Sequence, residues 1–284
     1  MAYSTWFMLY TVLGWASSRP TTGECMATDN HRPEPNRTLE LLWGVQQPPS
    51  RGPKPALSLR QIVDTAIAVA DAEGVGAVSM RRVADELGFT TMSLYRYVPS
   101  KTDLLELMVE HASEVPDVPP ELSGWRDKLR WWATDTAQIY QRRRWALDVP
   151  LNAPPMGPNQ IKRMEQALAA LDETGLSGGE MVGILVVLSG YVRGHAQLAT
   201  TLADVESRTG ASQQAWDTAY GRMLTEFVDP ERHPTLARIV AEGGFENGQD
   251  EDEWLDEDFG FGLELVLDGI ARYVERRQGS MSPE

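Results

Sequence analysis

Residues 79–101 constrain the fold of this 284-residue chain more than any other part of its sequence. Apolar residues at helical spacing give the first half of the stretch one buried stripe, and a serine just before that stripe can cap a helix. Gly88 suits the left-handed conformation that often follows a helix C-terminus. Thr90 or Thr91 can cap a second helix that runs to about Val98, where the following proline helps to end it. The stretch therefore predicts two short helices joined by a tight turn.

The outward face of the second helix carries no acidic side chain. With 3.6 residues per turn, Leu94 and Val98 point inward, while Met92 and Arg96 point almost the opposite way. A thioether can meet a thymine methyl group in the major groove, and a guanidinium can bind guanine or phosphate. Tyrosine hydroxyls and Lys101 can hold phosphates. The pattern is typical of a DNA-reading helix, and a solvated helix in an unrelated bundle is the alternative.

The run from Leu59 to Met108 resembles the DNA-binding domain of the tetracycline-repressor (TetR) family. The matching motifs are AxxLG at Ala84–Gly88, LYRYV at Leu94–Val98, and Lys101 followed by two leucines that begin the next helix. In that family three N-terminal helices bind DNA, and a helical C-terminal domain dimerises and usually binds a small molecule. The resemblance implies an all-α fold, with an N-terminal three-helix helix-turn-helix head and a larger C-terminal ligand-binding and dimerisation domain.

The same resemblance assigns DNA contacts by position. The residues expected to face bases are Arg81, Thr91, Met92, Ser93 and Arg96. Those expected to contact the DNA backbone are Tyr95, Tyr97 and Lys101. Lys54 lies in a basic arm, residues 51–55, which can reach phosphates or the minor groove; a solvated linker is the alternative. Base-reading residues vary among relatives, so no operator sequence follows.

The net charge of −15 is unevenly distributed along the chain. Residues 51–115 carry seven Lys or Arg against nine Asp or Glu, whereas residues 116–284 carry sixteen against twenty-eight. Excess acid therefore lies mostly beyond the head. A negative body with a locally neutral or positive reading face should bind non-matching DNA weakly, with marked salt dependence.

We expect residues 1–50 to form a disordered extension, residues 51–115 the DNA-binding domain, and residues 116–284 the effector-binding and dimerisation domain. The apolar stretch Trp6–Trp15 is too short to span a bilayer, and the encoded start is hypothesised to be Met26. Cys25 is the only cysteine, so no internal disulfide can form, which is consistent with a reducing cytoplasm.

Beyond a Pro-rich break at residues 115–124 the pattern stays helical. Residues 183–192 form the apolar centre of a long helix that contains small residues at four-residue spacing, and a second apolar helix begins near Trp254. A helix that is apolar on most faces needs cover on two sides. The resemblance implies that these two helices form the four-helix bundle of a homodimer; burial of both within a monomer is the alternative.

No catalytic, cofactor or metal motif is present: the four histidines are far apart, and there is no phosphate-binding loop, HExxH or nucleophile elbow. We expect a non-enzymatic, ligand-responsive repressor that releases a palindromic DNA operator when an effector of unidentified chemistry binds. A helical ligand-binding protein or enzyme whose head makes protein contacts, and a ligand-independent DNA-binding regulator, are the alternatives; an activator role is also open. Large or amphipathic candidates for the effector pocket are Trp132, Tyr140, Trp145, Met156, Met164, Tyr191, His195 and Gln197.

Overall fold

The computed structural model describes residues 35–44, 57–150, 156–210, 213–244 and 251–280, and all regular elements within these ranges are helical. The expectations for residues 1–34 and for Lys54 lie outside the described residues. The α-helices in chain order are α1 Pro35–Leu42, α2 Leu59–Glu73, α3 Met80–Leu87, α4 Thr91–Tyr95, α5 Lys101–Ala112, α6 Gly124–Arg142, α7 Pro158–Leu171, α8 Gly178–Thr209, α9 Gln213–Phe227, α10 Pro234–Ala241 and α11 Glu251–Ser280.

The first hydrophobic core lies among α2, α3, α4 and α5. Ser58 begins α2 through a capping box, because its hydroxyl accepts the Gln61 backbone N–H while the Gln61 side chain bonds back to the Ser58 backbone. Ile62, Leu94 and Leu104 are fully buried where the helices meet. A short 3-10 helix at Arg144–Leu147, directly after α6, adds side chains to this core. The predicted boundary at residue 115 stays a prediction.

The second core is formed by α6, α7, α8 and α11. Leu129, Leu171, Leu188 and Leu267, one from each helix, are large side chains that are fully buried in it. Hydrogen bonds from Arg130 and Arg126 on α6 to Glu264 on α11 join two of these helices at the surface. The predicted helical succession beyond residue 124 is therefore confirmed.

Residues 35–44 lie within the extension predicted to be disordered, and in the structure they form α1, which packs on the first core. Leu41 and Leu42 are buried there, and the Thr38 hydroxyl donates to Asp103 at 2.6 Å. A helix of eight residues is marginal by itself and depends on tertiary packing, so its periodicity was too short to stand out.

Helices α8 and α11 each bury one face and expose apolar side chains on another. Val187 on α8 is 59% exposed and Phe261 on α11 is 69% exposed. By length and composition Gly178–Thr201 is apolar enough to cross a membrane, although only 17% of its most apolar window is buried. This stretch extends on both sides of residues 183–192, the apolar centre recognised in the sequence. Since Leu188 is wholly buried in the second core, α8 serves here as a core helix with one uncovered side.

Candidate nucleic-acid interface and ligand cavity

The turn between α3 and α4 follows from local chemistry. Gly88 ends α3 with φ 72° and ψ 27°, a left-handed conformation that other residues adopt at a cost. The Thr90 side chain accepts the backbone N–H of Ser93 at 3.3 Å and so caps α4. The turn at Gly88 and the cap at Thr90 fix the direction of α4 relative to α3. Of the two predicted caps, Thr90 is the one used.

The predicted division of α4 into inward and outward faces is confirmed. Leu94 and Val98 have no exposed surface, whereas Met92 is 71% exposed and Tyr95 41%. Arg96 is also exposed. The outward surface of residues 91–97 therefore presents one guanidinium, hydroxyls and an apolar thioether, without a carboxylate. This surface can approach a polyanion without charge repulsion.

The predicted extent of this helix is wrong by about three residues, since α4 ends at Tyr95 and a turn follows. A residue before proline avoids the α conformation, so Val98 cannot extend the helix. Tyr97 is half-buried and packs against the first core. Ser93 is partly buried, with its hydroxyl 2.9 Å from that of Thr90, and Thr91 is also partly buried.

Two arginines on α3 have different surroundings. Arg81 is exposed and lies 3.7 Å from the carboxylate of Asp85 on the same helix. Such an exposed pair contributes roughly 0–1 kcal/mol, so Arg81 can exchange it for a phosphate or base. Arg82 pairs with Glu86 and reaches Glu73 on α2 at 2.9 Å, and these hydrogen bonds raise the pKa of Arg82. Arg82 is not among the predicted site residues, and its pair with Glu73 joins α3 to α2.

Lys101 is exposed at the first residue of α5, just past the end of the reading segment. Ser100 caps this helix, accepting the Asp103 backbone N–H at 3.1 Å and donating its hydroxyl to the Asp103 carboxylate at 2.6 Å. Burial, with the nearby Asp103 carboxylate, raises the pKa of Glu106 one turn further on. Lys101 therefore projects from a helix start that is held by several hydrogen bonds.

A cavity of about 200 Å³ opens between α6, α8 and α11. Two rings of its wall are in contact, since His195 meets Phe259 edge-on at 5.2 Å, and Tyr191 stacks on Phe259 from behind the wall with centroids 5.6 Å apart. The Tyr191 hydroxyl donates to the Phe259 carbonyl at 2.6 Å, and burial raises the pKa of Tyr191. The residues that line the cavity are Thr134, Ala137, Gln138, Tyr140, Gln141, Arg144, His195, Ala196, Ala199, Thr200 and Phe259.

Family models cover most of the chain. Residues 62–108 match the model described as bacterial regulatory proteins, tetR family, and residues 118–274 match the tetracyclin repressor-like C-terminal domain. The second match alone spans more than half of the 284 residues. The chain belongs to the tetracycline-repressor family. It is therefore an all-α, helix-turn-helix transcriptional regulator of the repressor type.

Individual relatives agree with this assignment. The chain is 41% identical over 249 residues to the HTH-type transcriptional repressor DrrR1 of Streptomyces coeruleorubidus, covering 87% of this chain and 89% of that protein. It resembles the TetR family protein ActR of Streptomyces coelicolor in complex with actinorhodin, with 25% identity and a TM-score of 0.63 over 76% of this chain and 95% of that one. The ActR complex with (S)-DNPA gives 26% identity and a TM-score of 0.62, over 77% and 98%.

In this TetR-family chain the predicted pocket residues separate into distinct places. Tyr140 and His195 line the cavity, and Tyr191 stacks behind its wall. The remaining candidates do not line it. Trp132 is buried in the second core, Trp145 lies in the first core, Met156 packs against that first core, Met164 is half-buried on α7, and Gln197 is exposed on α8.

Phe259, Gln138, Gln141 and Arg144 also line the cavity and are not among the predicted pocket residues. Arg144 belongs to an arginine run, residues 142–144, in which Arg142 and Arg144 are exposed, whereas Arg143 is half-buried and pairs with Asp71 on α2. Trp145 donates its indole N–H to the same carboxylate at 2.8 Å. A run of like charges gives no indication of which member turns inward, so only the packing of the two cores separates them.

The contacts of Arg143 and Trp145 with Asp71 join the head to the C-terminal helices. A second junction lies between α5 and α7. Glu110, buried near the end of α5, accepts the backbone N–H of Asn159 at 2.5 Å and that of Gln160 at 3.3 Å. These donors are the free amides at the start of α7, where negative charge is favoured. The head and the cavity-bearing helices are thus connected through specific, directional contacts.

Proposed function

We propose that this chain acts as a homodimer which binds a palindromic operator and releases it when a small aromatic molecule occupies the cavity. The observation that carries the proposal is the exposed, acid-free side of residues 91–97, held outward by Leu94 and Val98. The function is binding rather than catalysis, and we place it in the cytoplasm, where the operator DNA lies.

The uncovered faces of α8 and α11 support a dimer. Val187 and Leu198 on α8, with Phe261 and Leu265 on α11, are each more than half exposed. Large exposed apolar patches mark interaction surfaces, and these helices coincide with the bundle that the family uses to dimerise. A symmetric pair would present two copies of α4 to major grooves about 34–36 Å apart or a multiple of that distance.

The operator proposal is tested with a duplex recovered by selection from random-sequence DNA, using fluorescence anisotropy. Arg96→Ala should weaken binding by about 1–3 kcal/mol, or roughly 5- to 150-fold, and Tyr95→Ala should weaken it less. Arg222→Ala, on the exposed surface of α9, is the matched loss of one positive charge away from α4, α8 and α11, and it should change the affinity less than twofold. Equal effects of Arg96→Ala and Arg222→Ala would contradict the assignment of residues 91–97.

The lining of the cavity favours an aromatic ligand with a polar or anionic group. Tyr140, His195 and Phe259 supply ring faces and edges, and Arg144 is the cation among the lining residues. The ActR structures contain actinorhodin and (S)-DNPA, which supports a ligand-binding role for the equivalent domain here.

A thermal-shift screen of aromatic acids paired with their neutral amides tests this ligand class, since binding to the folded state raises the melting temperature. We expect the acids to give the larger shifts, and Arg144→Gln to remove the difference between each acid and its amide. Each hit should then weaken operator binding by a coupling of about 1–3 kcal/mol. Hits that leave operator affinity unchanged would favour a ligand-independent regulator.

A further inference from the structure

Residues 35–44 form a contact between the two parts of the molecule and lie outside both family-model matches, 62–108 and 118–274. Leu41 and Leu42 of α1 are buried in the first core. Because apolar burial is the dominant favourable term in folding, these two side chains fix α1 to the head.

The polar anchor of α1 is a buried carboxylate. Asp103, in the first turn of α5, accepts the Thr38 hydroxyl on Oδ1 and the Ser100 hydroxyl on Oδ2, both at 2.6 Å. Both Thr38 and Asp103 are buried. A buried carboxylate that loses a donor is left under-satisfied, since water cannot replace the bond. Thr38 therefore supplies the donor for one oxygen of the Asp103 carboxylate, while Ser100 supplies the donor for the other.

The far end of the segment reaches the helices of the second core. The indole N–H of Trp43 donates to the carbonyl of Met156 at 2.9 Å. Met156 lies just before α7, and its side chain packs against the first core. Residues 35–44 thus run from the first turn of α5 to the start of α7.

We propose that residues 35–44 act as a strap that positions the first turn of α5, and Lys101 on it, for contact with a DNA phosphate. Thr38 is a positioning residue that acts through Asp103. The proposal rests on the operator binding proposed above, since Lys101 has a phosphate to contact only in that complex. It assigns to this chain a support for its DNA-binding surface in addition to the helix-turn-helix itself.

The first test is native-state hydrogen exchange on the full chain without DNA. Thr38→Val keeps the side-chain shape but removes the hydroxyl, and Thr38→Ser keeps the hydroxyl. Asp103 and Leu104 carry the first hydrogen-bonded amides of α5. Thr38→Val should speed exchange at residues 103–106 at least tenfold and leave α6 and α7 unchanged, whereas Thr38→Ser should behave as the wild type. Unchanged exchange at residues 103–106, or an equal increase throughout the molecule, would overturn the strap.

The second test is a double-mutant cycle on affinity for the selected duplex, at a temperature where circular dichroism shows all variants folded. Lys101→Ala should weaken binding by roughly tenfold in the wild type but only about twofold in Thr38→Val. Fully additive effects would show that Thr38 contributes to stability alone and would overturn its positioning role. If no duplex is selected, the proposed function fails, while the exchange experiment still decides whether the strap holds the start of α5.

Discussion

Gly157 has no space for a side chain. A Cβ built at this position would lie 2.1 Å from Oε2 of Glu110 and 2.3 Å from its Cδ. The clashing atoms belong to a flexible side chain, so Gly157→Ala should expel the Glu110 carboxylate from the start of α7. The backbone of residue 157 needs no change, because its φ of −82° and ψ of 157° suit alanine.

The cost follows from what Glu110 would lose. Its carboxylate accepts the two backbone N–H groups at the start of α7, and the Gln160 side-chain amide at 3.3 Å. Losing a helix cap costs about 0.5–2 kcal/mol, and a buried group left without partners costs about 1–3 kcal/mol. Because these terms overlap, we expect a destabilisation of about 2–3 kcal/mol. For a chain of this size that corresponds to roughly 4–12 °C in melting temperature.

The assay is thermal and urea unfolding at one fixed protein concentration, since a dimer makes stability concentration-dependent. Gly179→Ala is the control, because a Cβ there has no neighbour within 4 Å, and it should be neutral or stabilising by up to about 1 kcal/mol. In a Glu110→Ala background, Gly157→Ala should cost less than about 0.5 kcal/mol. An equal cost in both backgrounds would refute the steric argument.

Three further predictions concern the ion pairs, the turn and the dimer. Hydrogen bonds from Arg130 and Arg126 hold the pKa of Glu264 at about 2, below its unfolded value. Glu264→Gln should therefore lower the free energy of unfolding above pH 5 by roughly 0.2–1 kcal/mol, since the group is half-exposed. The difference from the wild type should shrink when unfolding is measured at pH values down to 3. Gly88→Ala should lower the stability measured by urea unfolding by about 1–2 kcal/mol, because its φ of 72° is left-handed; an unchanged midpoint would contradict this. Phe261→Glu should give monomers in light scattering, while Met92→Glu, equally exposed, should stay dimeric and lose operator binding; a dimeric Phe261→Glu variant would exclude α11 from the interface.

Local sequence chemistry predicted the head well. The serine cap at Ser79, the left-handed Gly88 and the inward pair Leu94 and Val98 depend on residues close in sequence. Each of these rules acts within one or two helical turns. These three features can therefore be predicted from the sequence without knowledge of any tertiary contact.

The candidate ligand site was only partly predictable, because it depends on which helices meet. Of the eight predicted pocket residues, His195 and Tyr140 line the cavity. Trp145 is equally large and amphipathic, yet it lies in the first core and donates to Asp71, 74 positions earlier in the chain. Its neighbour Arg144 faces the cavity instead. A contact across that distance leaves no periodic signal in either segment.

The short helix α1 shows a second limit of the same kind. Its buried leucines and Thr38 follow helical spacing, but eight residues offer barely two turns. The partner that stabilises them is Asp103 on α5, 65 positions away from Thr38. Composition predicts disorder throughout residues 1–50, so the helix at residues 35–44 is evident only from the packed structure.

The central claim is that two copies of residues 91–97 enter the major groove on one side of a symmetric dimer. Met92→Cys, made together with Cys25→Ser, provides a single cysteine on α4 to which an iron chelate that cleaves DNA can be attached. On the selected duplex the account predicts two clusters of cleavage related by two-fold symmetry, centred about 10–10.5 base pairs apart or a multiple of that spacing. A single cluster, or cleavage spread evenly along the duplex, would contradict it.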